Sequence, residues 1–168
     1  LTPEEIERSL RPNTRVFYLE SPSSNIFRVL PLREIAAQAH ACGAVTVIDN
    51  TWATPLYQKP LELGIDYSIH SATKYLGGHS DVLGGVVLGR EERMDALRGG
   101  QRASWGACMD PFAAWLLIRS LRTLEVRMAR HSASADKVAR FLQEHPRVRS
   151  VCYPGLETDE GHTLAQTQ

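Results

Sequence analysis

The chain has 168 residues, with 19 basic against 19 acidic side chains and 43% hydrophobic residues, the make-up of a soluble α/β domain; with no run of like charges, it does not suit nucleic acid or an anionic membrane as a partner. The longest apolar segment, Phe112 to Ile118, is cut by Arg119 and Arg122, far short of a bilayer span. Cys42, Cys108 and Cys152 are odd in number and widely spaced, without the paired spacing of a zinc site or redox motif, so a reducing cytoplasm and no bound metal are expected.

Thr2, Pro3 and Glu5 carry the marks of a capping box with proline at the first helical position, and they predict a short helix to about Leu10. Arg15 to Leu19 reads as a strand. Pro31 opens a helix in which Leu32, Ile35, Ala36 and Ala39 keep helical spacing, and Gly43 is placed to end it. Ala44 to Ile48 is an apolar β-type run ending in Asp49, the pattern of a buried strand in a parallel sheet. The same order continues through Ile65 to Ser71 and Val82 to Leu88. This predicts an α/β fold, a mainly parallel sheet flanked by helices with room for one antiparallel member. Asp110 and Pro111 start a helix. Neither Gly nor Pro interrupts Phe112 to His145, so one very long helix or two joined by a bend fills that segment, with the polar stretch Arg130 to Asp136 as the expected bend. Arg147 to Tyr153 reads as the first strand of a C-terminal α+β domain, dividing the chain into residues 1–130 and 131–168, and the polar tail Glu157 to Gln168 is expected to be loose.

Chemistry concentrates in Tyr67 to Asp81, which reads Tyr-Ser-Ile-His-Ser-Ala-Thr-Lys-Tyr-Leu-Gly-Gly-His-Ser-Asp. If residues 65 to 73 are extended, Ser71 and Thr73 project from one face and Lys74 follows at the strand's end. Two hydroxyls on one side suit a phosphate, and the neighbouring amine suits an aldehyde. Ligands of open α/β sheets sit beyond the carboxyl ends of strands, so Asp49 and Lys74 are expected to face one crevice. Pyridoxal 5'-phosphate (PLP) asks for these groups. A buried carboxylate keeps its ring nitrogen protonated, which Asp49 fits. A lysine amine kept neutral by burial among apolar neighbours attacks its aldehyde, which Lys74 fits.

Each of these residues also has a plainer reading. A lone lysine is usually solvated, Asp49 could cap a loop, and Ser71 and Thr73 could satisfy backbone groups; the coincidence of the Asp49 and Lys74 blocks favours the cofactor. Thr51 and Ser24 could each bond nearby backbone in a turn. Trp52 and Tyr57 read as packing groups near the crevice, and His79 and Asp81 as neighbours of a turn rather than metal ligands. Arg119, Arg122 and Arg127 read as a solvated or inter-domain face. Gly77, Gly78, Gly84 and Gly85 permit tight turns or close packing beside the cofactor.

Taken together, Glu20-Ser-Pro22, Ile48-Asp-Asn-Thr-Trp-Ala-Thr-Pro55 and Ser71 to Asp81 resemble the Cys/Met-metabolism family of PLP enzymes over nearly the whole chain, with the cystathionine β-lyases as the nearest type. The resemblance implies that Lys74 carries the cofactor as a Schiff base and that Ser71 and Thr73 hold its phosphate. It implies that Asp49 pairs with the pyridinium, that Thr51 lies against the ring, and that Ser24 stands on the substrate side. It further implies a PLP-dependent transferase-like large domain and, in the full-length protein, a dimer of dimers acting on a small amino-acid substrate in sulfur metabolism leading to methionine. Trp52, where γ-type relatives usually have Phe, and Ser24, where they usually have Asn followed by Pro, lean towards β-elimination of cystathionine to homocysteine, pyruvate and ammonia. His70-Ser71 is common in γ-type sequences and Asn25 could be a displaced form of their Asn, so cystathionine γ-synthase, cystathionine γ-lyase and methionine γ-lyase stay open.

The chain begins at Leu1 with neither an initiator methionine nor a signal-peptide pattern, and it is expected to be a piece. Relative to the family it lacks the N-terminal part, with its glycine-containing phosphate loop, its ring-stacking tyrosine, and the tyrosine and arginine lent to a neighbouring subunit. It also lacks most of the C-terminal domain, whose arginine binds the substrate carboxylate. The segment alone is expected to hold PLP weakly, if at all, and to be a catalytically silent folded module. Ser71-Ala-Thr-Lys74 also matches the Ser-x-x-Lys of penicillin-binding enzymes, but the companion Ser-Asp-Asn and Lys-Thr-Gly elements are missing from the sequence.

Overall fold

The computed structural model describes residues 3–106 and 108–168. Four strands form one sheet in the order β1 (Val16–Glu20), β2 (Val45–Asp49), β3 (Tyr67–Ser71), β4 (Gly85–Gly89). β1, β2 and β3 run parallel, with Glu20 level with Asp49 and Asp49 level with Ile69, whereas β4 returns antiparallel with Gly85 beside Ser71. The three parallel strands therefore end along one edge, which carries Glu20, Asp49 and Ser71.

Alternation along the strands sets what lies behind that edge. Phe17, Leu19, Thr46, Ile48, Ser68 and His70 point to a buried face. Helices α1 (Pro3–Ser9) and α2 (Leu32–Ala41) cover it, and Ile6, Leu32, Ile35, Ala36 and Ala39 pack there with Leu63 and Ile65. The predicted apolar spacing of α2 is met residue for residue, and Gly43 follows it at φ 72°. Thr2 of the expected capping box lies outside the described residues. Short α3 (Thr54–Tyr57) and a 3₁₀ turn (Pro60–Leu63) complete the crossover from β2 to β3. Asp66, at the foot of β3, is buried and accepts from Thr46 N, Thr46 Oγ1 and His40 Nε2, while Arg93 of α4 (Glu91–Leu97) pairs with its other oxygen at 2.8 Å.

The structure departs from the expectations at six places. β3 stops at Ser71, and Ala72–Leu76 form a π-type turn that breaks at Lys74 (φ −93°, ψ −118°), so Ser71 and Thr73 do not alternate along one strand. Buried Ala72 and Leu76 pull the chain off the sheet against Leu117, Leu124 and Met128. β4 begins at Gly85 rather than Val82, because Val82 is itself a buried packing residue. After α4 and a π turn at Arg98–Arg102 comes α5 (Ala103–Trp105), which carried no sequence signal. The long helical segment is two helices, but α6 (Pro111–Leu121) gives way to α7 (Leu124–Glu144) at Arg122 and Thr123, and Arg130 to Asp136 continue as helix. Asp110 caps α6 as predicted, accepting from Phe112 N and Ala113 N.

The C-terminal stretch gives the last two departures. Arg147 to Tyr153 form no strand: no described strand lies alongside, and the Tyr153 N–H goes to Asp159 Oδ2 instead. Nor is the tail loose. Leu156 is buried, α8 (His162–Ala165) follows, and Gln168 Oε1 accepts from Leu32 N at 2.9 Å, tying the end of the chain to the start of α2. No helix among the described residues is long and apolar enough to cross a membrane.

Candidate active site

Asp49 is the last residue of β2, and the chain turns straight back on its carboxylate. Asp49 Oδ1 accepts from Thr51 N at 2.9 Å and from the Thr51 hydroxyl at 2.5 Å. The same hydroxyl accepts from Ser71 N at 2.8 Å, so one buried threonine joins the carboxyl ends of β2 and β3. Asn50 secures the loop behind it, donating from Nδ2 to Gln58 O at 3.0 Å and to Thr54 O at 3.3 Å. The Ser71 hydroxyl has no protein partner among the described residues. Thr73 Oγ1 accepts from Gly84 N at 3.1 Å, which brings the start of β4 beside the Lys74 turn.

Lys74 projects from the outer side of its turn into a cleft of about 370 Å³ that it lines with Thr51, Trp52, Thr73, Tyr75 and Arg127. Asp49 and Ser71 connect to this cleft through Thr51, to which both are hydrogen-bonded. Ser24 stands apart: its hydroxyl donates to Glu20 Oε1 at 2.9 Å and its N–H to Glu20 Oε2 at 2.6 Å, closing the turn after β1. The expected burial of Lys74 among apolar neighbours is not found. Its side chain is exposed, because the apolar members of the turn, Ala72 and Leu76, point the other way into the core.

Trp52 forms the side wall, edge-on to Phe27 with ring centroids 4.9 Å apart and tilted against Tyr75 at 6.3 Å; Tyr75 in turn meets His131 at 5.6 Å. Beyond this wall lies a more apolar cavity of about 490 Å³, lined by Tyr57, Met128, Ala135 and Tyr153 among others. Charge at the sheet edge is felt by its neighbours: partial desolvation and the carboxylates of Asp49 and Glu20 push the Tyr18 phenol up. Burial pushes the His70 imidazole down, against the opposing pull of Asp49 and the Asn50 backbone.

Sequence reasoning passed over two residues. Arg127 is half-buried and reaches the Lys74 turn, whereas Arg119 and Arg122 are exposed. His79 Nδ1 stands 2.8 Å from Gly77 O and 3.2 Å from Ser120 Oγ, a tie between turn and helix. Neither role has a local signal, since the contact that ties each residue across the turn, His79 to Ser120 and Arg127 to Tyr75, spans 41 and 52 positions. Among the described residues no group of three or more His, Cys, Asp and Glu could hold a metal.

An amine and a carboxylate held by hydroxyl and amide donors, both at the carboxyl edge of a mainly parallel sheet, define an α/β protein with a ligand cleft at its strand ends. The chain belongs to the Cys/Met metabolism PLP-dependent enzyme family, whose sequence model matches residues 1–168. It is 44% identical over 167 residues to an L-methionine gamma-lyase of Fusobacterium nucleatum subsp. nucleatum, covering 98% of this chain and 42% of that protein. To a cystathionine beta-lyase of Lactococcus lactis subsp. cremoris it is 43% identical over 165 residues, covering 98% of this chain and 43% of the relative. The crystal structure of a cystathionine gamma-lyase from Lactobacillus plantarum, complexed with L-serine, superposes with a TM-score of 0.95 at 36% identity, covering 99% of this chain and 44% of that one. The chain thus spans less than half the length of these two relatives.

Proposed function

We propose that the protein is the central part of a PLP-dependent carbon–sulfur lyase that β-eliminates cystathionine, or a cysteine-type substrate, to homocysteine, pyruvate and ammonia. One observation carries the reading: the Thr51 hydroxyl links Asp49 to Ser71 at the edge of the cleft that Lys74 lines. The residues fit the cofactor by their chemistry. Lys74 Nζ is the amine for its aldehyde, Asp49 the acceptor for its ring N–H, and Thr51 the group beside its ring. Ser71, whose hydroxyl no described residue engages, and Thr73 are the phosphate hydroxyls, while Ser24, held by Glu20 in the turn after β1, takes no part in this reading. When bound, the cofactor supplies a sink for charge developing at the substrate Cα.

The chain's own residues handle protons and position. Asp49 keeps a proton at the ring nitrogen because its Oδ1 is already held by two donors and cannot turn away. Lys74 Nζ would remove the substrate's Cα proton and then deliver a proton to the departing sulfur. In this reading residues 1–130 are the second half of the cofactor-binding domain and residues 131–168 begin the C-terminal one, in a cytoplasmic homotetramer. The L-methionine gamma-lyase relative favours a second reading, elimination one carbon further out. Product analysis of the full-length protein on cystathionine separates them: pyruvate marks the first and 2-oxobutyrate the second. Lys74→Ala is expected to abolish both turnover and the visible absorption of bound cofactor, and persistence of both refutes the assignment.

A further inference from the structure

We propose that Arg127 is the positioning residue of the Lys74 turn, locking its backbone to the junction of α6 and α7 and thereby fixing where the lysine amine stands. The inference rests on the reading of Lys74 given above. Arg127 Nη1 donates to Tyr75 O at 2.7 Å, Nη2 to Ser120 O at 3.0 Å, and Nε to Thr123 Oγ1 at 3.1 Å. Tyr75 directly follows Lys74, and Ser120 and Thr123 flank the break between the helices. Each of the three guanidinium nitrogens donates to a protein acceptor, which uses three of its five N–H groups and fixes Arg127 at the border of the cleft.

The surroundings are shaped for this guanidinium. Gly78 has φ +72°, and a Cβ there would collide with Arg127 Nη1 and Cζ, so glycine both permits the turn and leaves the channel through which the side chain passes. His79 adds a second tie to the same end of α6 through Ser120 Oγ. Ala72 and Leu76 bury themselves against Leu117, Leu124 and Met128, which sets the depth of the turn. Apolar packing is non-directional, however, and leaves rotation about the contact open. A planar fork bonded on both sides removes that freedom. Lys74, exposed and without a side-chain partner among the described residues, takes its position from the turn alone.

The test uses the full-length protein loaded with PLP and the variants Arg127→Ala, Arg127→Lys, Gly78→Ala and Lys74→Ala. Arg127→Ala is expected to lower kcat by roughly 10- to 100-fold with KM within about 3-fold, since a misplaced catalytic group costs on that order. It is also expected to move the pH midpoint of the bound cofactor's visible absorption, which a residue that only stabilises the fold would leave in place. Arg127→Lys, which can reach one acceptor but not three, should recover only part of both effects, and it is the decisive variant should Arg127→Ala not fold. Gly78→Ala should reproduce them, and combining it with Arg127→Ala should add little. A folded Arg127→Ala or Arg127→Lys protein with parental kcat, or with a kcat loss but an unmoved midpoint, overturns the proposal. If Lys74→Ala is dead while the Arg127 variants behave as the parent, only the positioning role fails; if Lys74→Ala keeps both absorption and turnover, the reading of the site itself fails.

Discussion

Thr51→Val isolates the joint between β2 and β3, because valine keeps the shape of the side chain and removes only its hydroxyl. That hydroxyl donates to Asp49 at 2.5 Å and accepts from Ser71 N at 2.8 Å, and the residue is 5% exposed, so water cannot step in for it. A hydrogen bond to a charged group is worth about 1.5–3 kcal/mol, and a buried N–H left without a partner costs a further ~1–3 kcal/mol. Ser71 is only half-buried, so its orphaned amide recovers part of that loss, and about 2 kcal/mol is a fair net figure for local opening. This corresponds to roughly 30-fold faster hydrogen exchange at the Ser71 amide, a local readout that does not require the whole protein to unfold in one step. Exchange followed by mass spectrometry on the peptide containing Ser71 should show the acceleration in Thr51→Val, whereas Thr51→Ser, which keeps both bonds, should stay within about 3-fold of the parent. Parental exchange in the valine variant, or serine as fast as valine, refutes the reasoning.

Asp66 yields a pH prediction. Burial alone raises its carboxyl, but the Thr46 N–H, His40, the Thr46 hydroxyl and Arg93 outweigh that and hold it below the ordinary carboxylate range. Its contribution is therefore complete above the unfolded carboxylate pKa of about 4 and is lost as pH falls through the lower folded value. Acid unfolding followed by circular dichroism should be steeper for the parent than for Asp66→Asn, which should also lose about 1–3 kcal/mol near neutral pH; parallel acid profiles count against the network. Asp110→Ala removes both side-chain bonds at the start of α6 and should destabilise that helix by about 0.5–2 kcal/mol, measured as faster amide exchange at Phe112 and Ala113. Unchanged exchange there means that the cap is idle.

Much of the fold is local information. α2 was legible because Leu32, Ile35, Ala36 and Ala39 repeat at helical spacing with glycine after them, and β2 because a β-branched run ends in an acid. The start of α6 was legible because Asp110 and Pro111 form a complete cap. The block around Lys74 was legible as chemistry but not as shape. An extended chain through Thr73 was expected, whereas the burial of Ala72 and Leu76 against helices some 40 to 50 residues away turns it out of the sheet. The bend between α6 and α7 was misplaced because polarity was read as a break. The turn lies instead at Thr123, where Thr123 N and Arg127 Nη2 both take Ser120 O.

What the amino acids alone determined is the set of chemical groups and the alternation of strand and helix, since these follow from residue type and from periods of two to four residues. Which groups meet was decided only by the folded chain. Thr51 became the link between Asp49 and Ser71, Ser24 turned away to Glu20, and Arg127, expected on a solvated or inter-domain face, bonds the carbonyl next to Lys74. The reason is that hydrogen bonds between distant segments depend on the direction and register that packing imposes. That direction is a property of the assembled sheet and helices, not of any stretch of sequence short enough to read by eye.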